Sequence, residues 1–137
     1  MLISTIQEVK KVLPIGVAND IKRLQPHLES AEVAFIKPLL GVSLYEELEE
    51  FYQERPEGEL TRVQEDTGRL LSMVQSSIVH LAYFIGFDVL NVSISDMGFM
   101  RAESTTSKSL FKYQEDNLRE YFKNNGFNSL DDILQFI

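Results

Sequence analysis

The sequence has no cysteine and no tryptophan, and among its 137 residues there are only two histidines and four prolines. The missing thiols exclude disulfide staples, thiolate nucleophiles and cysteine zinc sites together, so the core must be held by packing. Neither His27 nor His80 has a glutamate three residues before it, so the Glu-x-x-His pairs of a di-iron bundle are not written. There is no Gly-x-Ser-x-Gly elbow, phosphate loop or dinucleotide fingerprint, and no internal repeat or low-complexity tract. Residues 1–12 carry Glu8, Lys10 and Lys11 where a signal peptide would have its apolar core, which predicts a cytoplasmic setting. Basic charge is also short: 13 Lys and Arg against 21 Asp and Glu leave a net −8. The excess sits in residues 45–68, where Glu46, Glu47, Glu49, Glu50, Glu54, Glu57, Glu59, Glu65 and Asp66 face only Arg55 and Arg62. A field of that sign opposes a phosphate backbone, so direct nucleic-acid binding is not expected.

What the chain does have is one long apolar stretch, residues 60–90, free of proline. Val63, Leu70, Leu71, Val74, Ile78, Leu81, Ala82, Ile85 and Val89 recur at the three- and four-residue spacing of a buried helical stripe. Met73, His80, Tyr83, Phe84 and Phe87 form a second stripe, so the C-terminal half is apolar over most of its circumference. Such a helix has neighbours on several sides, and if continuous it is about 45 Å long. His80 reads as a core histidine. The run between Arg69 and Asp88 is uncharged, but Ser72, Gln75, Ser76, Ser77 and His80 cluster on one face, which argues against a membrane span.

Around this helix the remaining elements follow in order. Thr5 and Glu8 have the spacing of a capping box, opening a short helix with Ile6, Val9 and Leu13 inward and ending at Pro14 and Gly16. Pro26 fits the first turn of a helix over 27–36, with Leu28, Ala31, Val33 and Phe35 inward. Then Pro38 stops that helix, Gly41 supplies a positive φ, and Ser43 caps a new helix with Glu46 as its reciprocal partner. Pro38, Gly41, Ser43 and Tyr45 thus mark a structural corner. The helix it opens buries Leu44, Leu48 and Phe51, with Tyr45 and Tyr52 flanking. After residue 90 the period shortens to two, and Asp96-Met97-Gly98 gives a turn, so residues 91–103 are predicted to form a β-hairpin. A helix follows over 108–123, with Leu110, Phe111, Gln114, Leu118, Tyr121 and Phe122 on one side. Asn124-Asn125-Gly126 supplies a left-handed stop, and Ser129 caps a last short helix over 130–136. The predicted fold is mainly α: a single domain over residues 1–137, a compact bundle around one long central helix, with a small β-hairpin before the C-terminal helices.

Candidate functional residues are surfaces more than reactive centres. Glu46, Glu50 and Glu54 lie one turn apart on one helix face; without calcium-type carbonyl loops they are solvated carboxylates or a contact for a basic partner. Phe99 and Met100 are consecutive, so they fall on opposite faces of the returning strand, and one projects outward beside Arg101. A large apolar group next to arginine is the composition of a contact surface. No metal, cofactor or catalytic constellation is expected.

Three passages carry a resemblance. AEVAFIKPLLGVSLYEEL, residues 31–48, resembles the Ala-Glu then Ile-x-Pro-x-Leu-Gly-x-x-Leu-Tyr-x-x-Leu segment of uncharacterised proteins from Bacteroidetes genomes and their prophages. ISDMGFMRAES, residues 94–104, resembles their strand–turn segment, although Phe99 and Met100 stand where a smaller apolar residue is usual. KYQEDNLREYF and NSLDDILQFI resemble their closing helices. Those proteins are similar in size and element order to the head–tail connector (head-completion) proteins of long-tailed phages, small helical subunits that form a ring beneath the portal. The resemblance implies a non-enzymatic assembly subunit, a possible homo-oligomer with portal or tail proteins as further partners, located in the bacterial cytoplasm or the virion. The alternative is a soluble adaptor or regulatory protein that binds one host partner through its acidic helix face, and an outside third is a small-molecule enzyme.

Overall fold

Residue by residue, the computed structural model describes 1–13, 21–87 and 105–137, with the side chains of 105–111 excepted. Helix α1, Ile6–Val12, opens on the expected capping box: the Thr5 side chain takes the Glu8 N–H and the Glu8 side chain takes the Thr5 N–H. Helix α2 is Ile21–Ala31, a π-helical turn follows at Glu32–Ile36, and α3 is Lys37–Glu54. Helix α4, Arg62–Ile85, starts from a second capping box between Thr61 and Gln64. The last helix, α5, is Thr105–Phe136.

The central helix is α4, which touches every other described element. Its 24 residues span about 36 Å, shorter than the 60–90 stretch because Thr61 caps it and Gly86 ends it. Leu70, Val74, Ile78, Val79, Leu81 and Ala82 are buried, and so is His80, whose Nδ1 lies 2.8 Å from the Ser76 carbonyl oxygen. Val63 and Ile85, both members of the expected stripe, are exposed, and Val89 at its end lies outside the described residues.

Four boundaries differ from expectation. Helix α2 begins at Ile21 and carries Pro26 inside it, on its solvent side, where a lost N–H bond is least costly. Pro38 does not stop the chain of helices. The Lys37 N–H bonds back to the Glu32 oxygen, five residues earlier, and this widened turn moves the carbonyl that the proline ring would otherwise strike. Val33 in that turn points outward. Gly41 has φ 79° and ψ 167°, the one non-helical backbone within α3, so the corner is there; Ser43, however, lies inside the following helical run and does not cap it. Finally, α5 is continuous through 124–126. Gly126 does not stop it, because it sits where α5 crosses α4: a Cβ built there would lie 2.6 Å from Leu81 Cδ2. Asn125 Nδ2 donates to the Tyr121 carbonyl 2.7 Å away, back along the same helix.

The fold is therefore mainly α, with no strand among the described residues. The hairpin expected over 91–103, with Phe99, Met100 and Arg101, lies outside the described residues. Phe122 stacks on Tyr83 at 5.2 Å between ring centroids, and Phe35 meets Phe127 edge-on at 5.7 Å, joining α5 to α4 and to the π-helical turn. Leu118 and Tyr121 of α5, expected inward, are about half exposed.

Candidate functional site

The densest polar arrangement among the described residues surrounds residues 1–5. Leu2 and Ile3 precede α1, are not helical, and are wholly buried. Their backbone bonds to side chains: the Leu2 N–H donates to Glu32 Oε1 at 3.1 Å, and Gln75 Nε2 of α4 donates to the Leu2 carbonyl at 2.9 Å. Glu32, 2% exposed, also accepts from the Tyr45 hydroxyl at 2.6 Å. Tyr45 comes from α3 just beyond the Gly41 corner, so the change of direction at that glycine is what brings α3 back over the π-helical turn.

One helical turn into α1, Glu8 collects a second set. Its Oε1 accepts from the Ser4 N–H at 3.2 Å, the Thr5 N–H at 3.0 Å, the Thr5 hydroxyl at 2.9 Å and the Tyr52 hydroxyl at 2.8 Å. Its Oε2 takes the other Gln75 hydrogen at 3.2 Å. Because Tyr52 spends its one hydrogen on Glu8, the Ser4 hydroxyl 2.7 Å away must donate to Tyr52. Tyr45 and Tyr52 are seven residues apart, two turns of α3, which puts both on the face that covers the arm.

The titration behaviour follows from these contacts. Burial opposes ionisation of Glu8, but the hydrogen bonds from Tyr52, Ser4 and Thr5 outweigh it and hold the carboxyl below its usual range. Burial, then the bond to Glu32 and its charge, then Glu49, push Tyr45 far above an ordinary tyrosine. Tyr52 is raised as well, by burial and by Glu8. Both phenols therefore remain neutral donors at physiological pH.

The energetics of the arm are closely balanced. Ordering residues 1–5 costs about 5–10 kcal/mol of backbone entropy. Burying Leu2 and Ile3 returns roughly 3–6 kcal/mol, and four hydrogen bonds to arm backbone (one with Glu32, one with Gln75 and two with Glu8) return about 0.5–1.5 kcal/mol each. The arm is seated by a small difference, and it needs the polar clasp as well as the apolar plug.

Beside this clasp, Lys37, Gly41, Val42, Tyr45, Glu46 and Glu49 line an open groove of about 340 Å³, with Lys37 Nζ 5.1 Å from the centre of the Tyr45 ring. Glu46, Glu50 and Glu54 are all exposed on α3, in line as expected. The corner residues divide: Tyr45 belongs to the clasp, while Pro38, Gly41 and Ser43 are exposed. The interface candidates Phe99, Met100 and Arg101 are outside the described residues. The roles of Glu32 and Gln75 were not legible; the only signs were a glutamate among apolar neighbours and an amide in an uncharged run. Among the described residues no three His, Asp or Glu side chains converge as a metal site, and no helix is long and apolar enough to cross a membrane.

These features define a class: a helical domain whose leading segment is clasped by carboxyl, phenol and amide groups of three other helical elements. The chain belongs to a family of unknown function, DUF6712, whose model matches residues 36–137 and so takes in α3, α4 and α5. Searches of curated proteins and of solved structures found no match.

Proposed function

We propose that the protein is a non-enzymatic structural subunit of the head–tail connector type, assembling with itself into a ring-type oligomer and with portal or tail proteins. The observation that carries this reading is the two-sidedness of α3. Leu48 and Tyr52 are buried and Tyr45 is tied to Glu32, so Glu46, Glu50 and Glu54 on the other side are held still in solvent. A charged face on a fixed helix meets a partner with little further ordering cost and steers a basic surface toward it. The resemblance of residues 31–48 and 112–137 to prophage proteins supports the same reading. The acidic face equally suits a soluble adaptor with one basic host partner and no ring, and oligomeric state separates the two.

Light scattering and native mass spectrometry of the purified chain, over a range of concentration and salt, test it. A multi-subunit mass is expected, falling at high salt. The triple variant Glu46→Lys, Glu50→Lys, Glu54→Lys is expected to lose assembled mass with its melting temperature little changed, since all three positions are exposed. A chain that stays monomeric throughout overturns the ring reading and leaves the adaptor.

A further inference from the structure

The helical run before the Gly41 corner carries a second exposed face, opposite in character to the glutamate row beyond it. Helix α2 buries Leu24, Leu28 and Ala31 and packs chiefly on α4. Its solvent side presents Lys22, Arg23, Pro26 and Ser30, and the π-helical turn adds Val33, 57% exposed. Lys22, Pro26 and Ser30 follow at four-residue steps and Val33 comes three turns after Lys22, so they form one strip, with Glu29 at its border. The proline, serine and valine in the middle of the strip have little rotamer freedom to lose on contact. Helix α3 turns Leu48 and Tyr52 inward and shows Glu46, Glu47, Glu50 and Glu54 to solvent. No ion pair joins Arg23 to any of these glutamates. Both faces lie on rigid elements that pack inward with their other sides, so the attraction between them is not satisfied inside the chain.

Resting on the assembly reading, we infer that the acidic face of α3 receives the α2 strip of a second copy of this chain, laid antiparallel along it. The two surfaces match in spacing as well as in sign. Val33 stands ten residues after Arg23, about 15 Å along the axis. On α3, the groove between Val42 and Glu46 is centred ten residues before Glu54, again about 15 Å. With Val33 seated in that groove against Val42, itself 75% exposed, Arg23 falls opposite Glu54. A guanidinium there meets carboxylates in the planar geometry that suits it. For a chain of net −8, contacts between copies are repulsive on average; a strip led by two cations meeting a row that has none is the exception. Because the two faces differ, the contact is head-to-tail: each copy uses α3 toward one neighbour and α2 toward the other, which is the kind of interface that closes into a ring.

Exchange of charge between the faces tests this on the full-length chain. One variant reverses the α2 strip, Arg23→Glu with Ser30→Glu; the other reverses the α3 face, Glu50→Lys with Glu54→Lys. All four positions are exposed, and melting curves check that each variant keeps its fold. Native mass spectrometry then follows each variant alone and in equal mixture. Alone, each is expected to lose the assembled mass, because like charge meets like at every contact. In the mixture the α2 strip of each variant meets the α3 face of the other with opposite sign, so the assembled mass is expected to return, with the two chains in equal number. Val33→Glu, a single exposed change, is a second α2 variant should the double one fail to fold. A reversed α2 strip that leaves the assembled mass intact overturns the pairing and leaves the assembly reading standing. Loss in both variants with no recovery in the mixture also overturns the pairing, and assigns the two faces to different partners. A wild-type chain that is monomeric at every concentration overturns both.

Discussion

Glu8 shows how much one side chain can organise. It completes the cap of α1, ties Tyr52 of α3 and receives Gln75 of α4. Its folded-state pKa lies below the ordinary glutamate value of 4.5. Its contribution is therefore present above that value and is lost as pH falls through the folded pKa. Melting temperatures between pH 3 and pH 7 should drop for the wild type in that acid window, and Glu8→Gln should start lower and flatten the drop. The phenols act on the opposite side. Tyr45 is raised above its ordinary 10.0, so its contribution is present below pH 10 and is lost as pH rises beyond it, because the unfolded chain ionises first. Tyr45→Phe should soften the alkaline decline yet cost about 1–3 kcal/mol at neutral pH by removing the donor that serves buried Glu32. An acid limb unchanged in Glu8→Gln would show that the carboxyl is not what the low-pH transition titrates.

At the scale of elements, two glycines play opposite parts, and substitution by alanine distinguishes them. Gly41 has nothing within 4 Å of a built Cβ, so Gly41→Ala pays only for its positive φ, on the order of 1 kcal/mol. Gly126→Ala should also destabilise, by about 1–3 kcal/mol, through overpacking on Leu81. In an exposed helix interior the same change would stabilise by about 1 kcal/mol. Leu81→Ala in the Gly126→Ala background should show a favourable coupling energy in denaturant melts; strict additivity would mean the crossing is not tight. This pair also marks what was legible in the sequence. The period of α4, the cap at Thr5 and the positive φ at Gly41 are local, so spacing and residue type were enough. Asn124-Asn125-Gly126 has the local form of a stop, but a contact with residue 81 decided its conformation, and no local pattern holds that information. Pro38 misled for a related reason, since a widened turn upstream absorbed the clash that should have ended the helix. The acidic face Glu46, Glu50, Glu54 was legible because it needs only the helical period. The Glu32 clasp was not, because its three walls meet only after folding.

For the molecule as a whole, stability should be graded outward from α4. That helix touches every other described element and its residues 77–83 are all buried, so its central amides should exchange hydrogen only through global unfolding. The Leu2 and Ser4 amides, held by side chains on an arm whose seating is closely balanced, should exchange through local opening. Hydrogen exchange followed by NMR should place the amides of residues 74–82 at the global limit and those of Leu2 and Ser4 well below it. Equal protection at both places would mean that the arm unfolds only with the core.

The π-helical turn at Glu32–Ile36 bears on how this chain can vary over generations. A wide turn of this kind amounts to one residue inserted into an α-helical repeat. Val33 is exposed within it, and losing that residue would let the turn close to ordinary α pitch with the helices on either side still in phase. Tyr45, Tyr52 and the glutamate row would keep their faces. The cost would fall on Pro38, whose ring would then meet the carbonyl four residues back. A single-residue deletion in an ordinary stretch of α3, by contrast, would turn everything beyond it by about 100° around the helix axis. Among descendants of this sequence, loss of a residue across 32–36 should go with loss of the proline at 38, and length should be free to drift near 55–60.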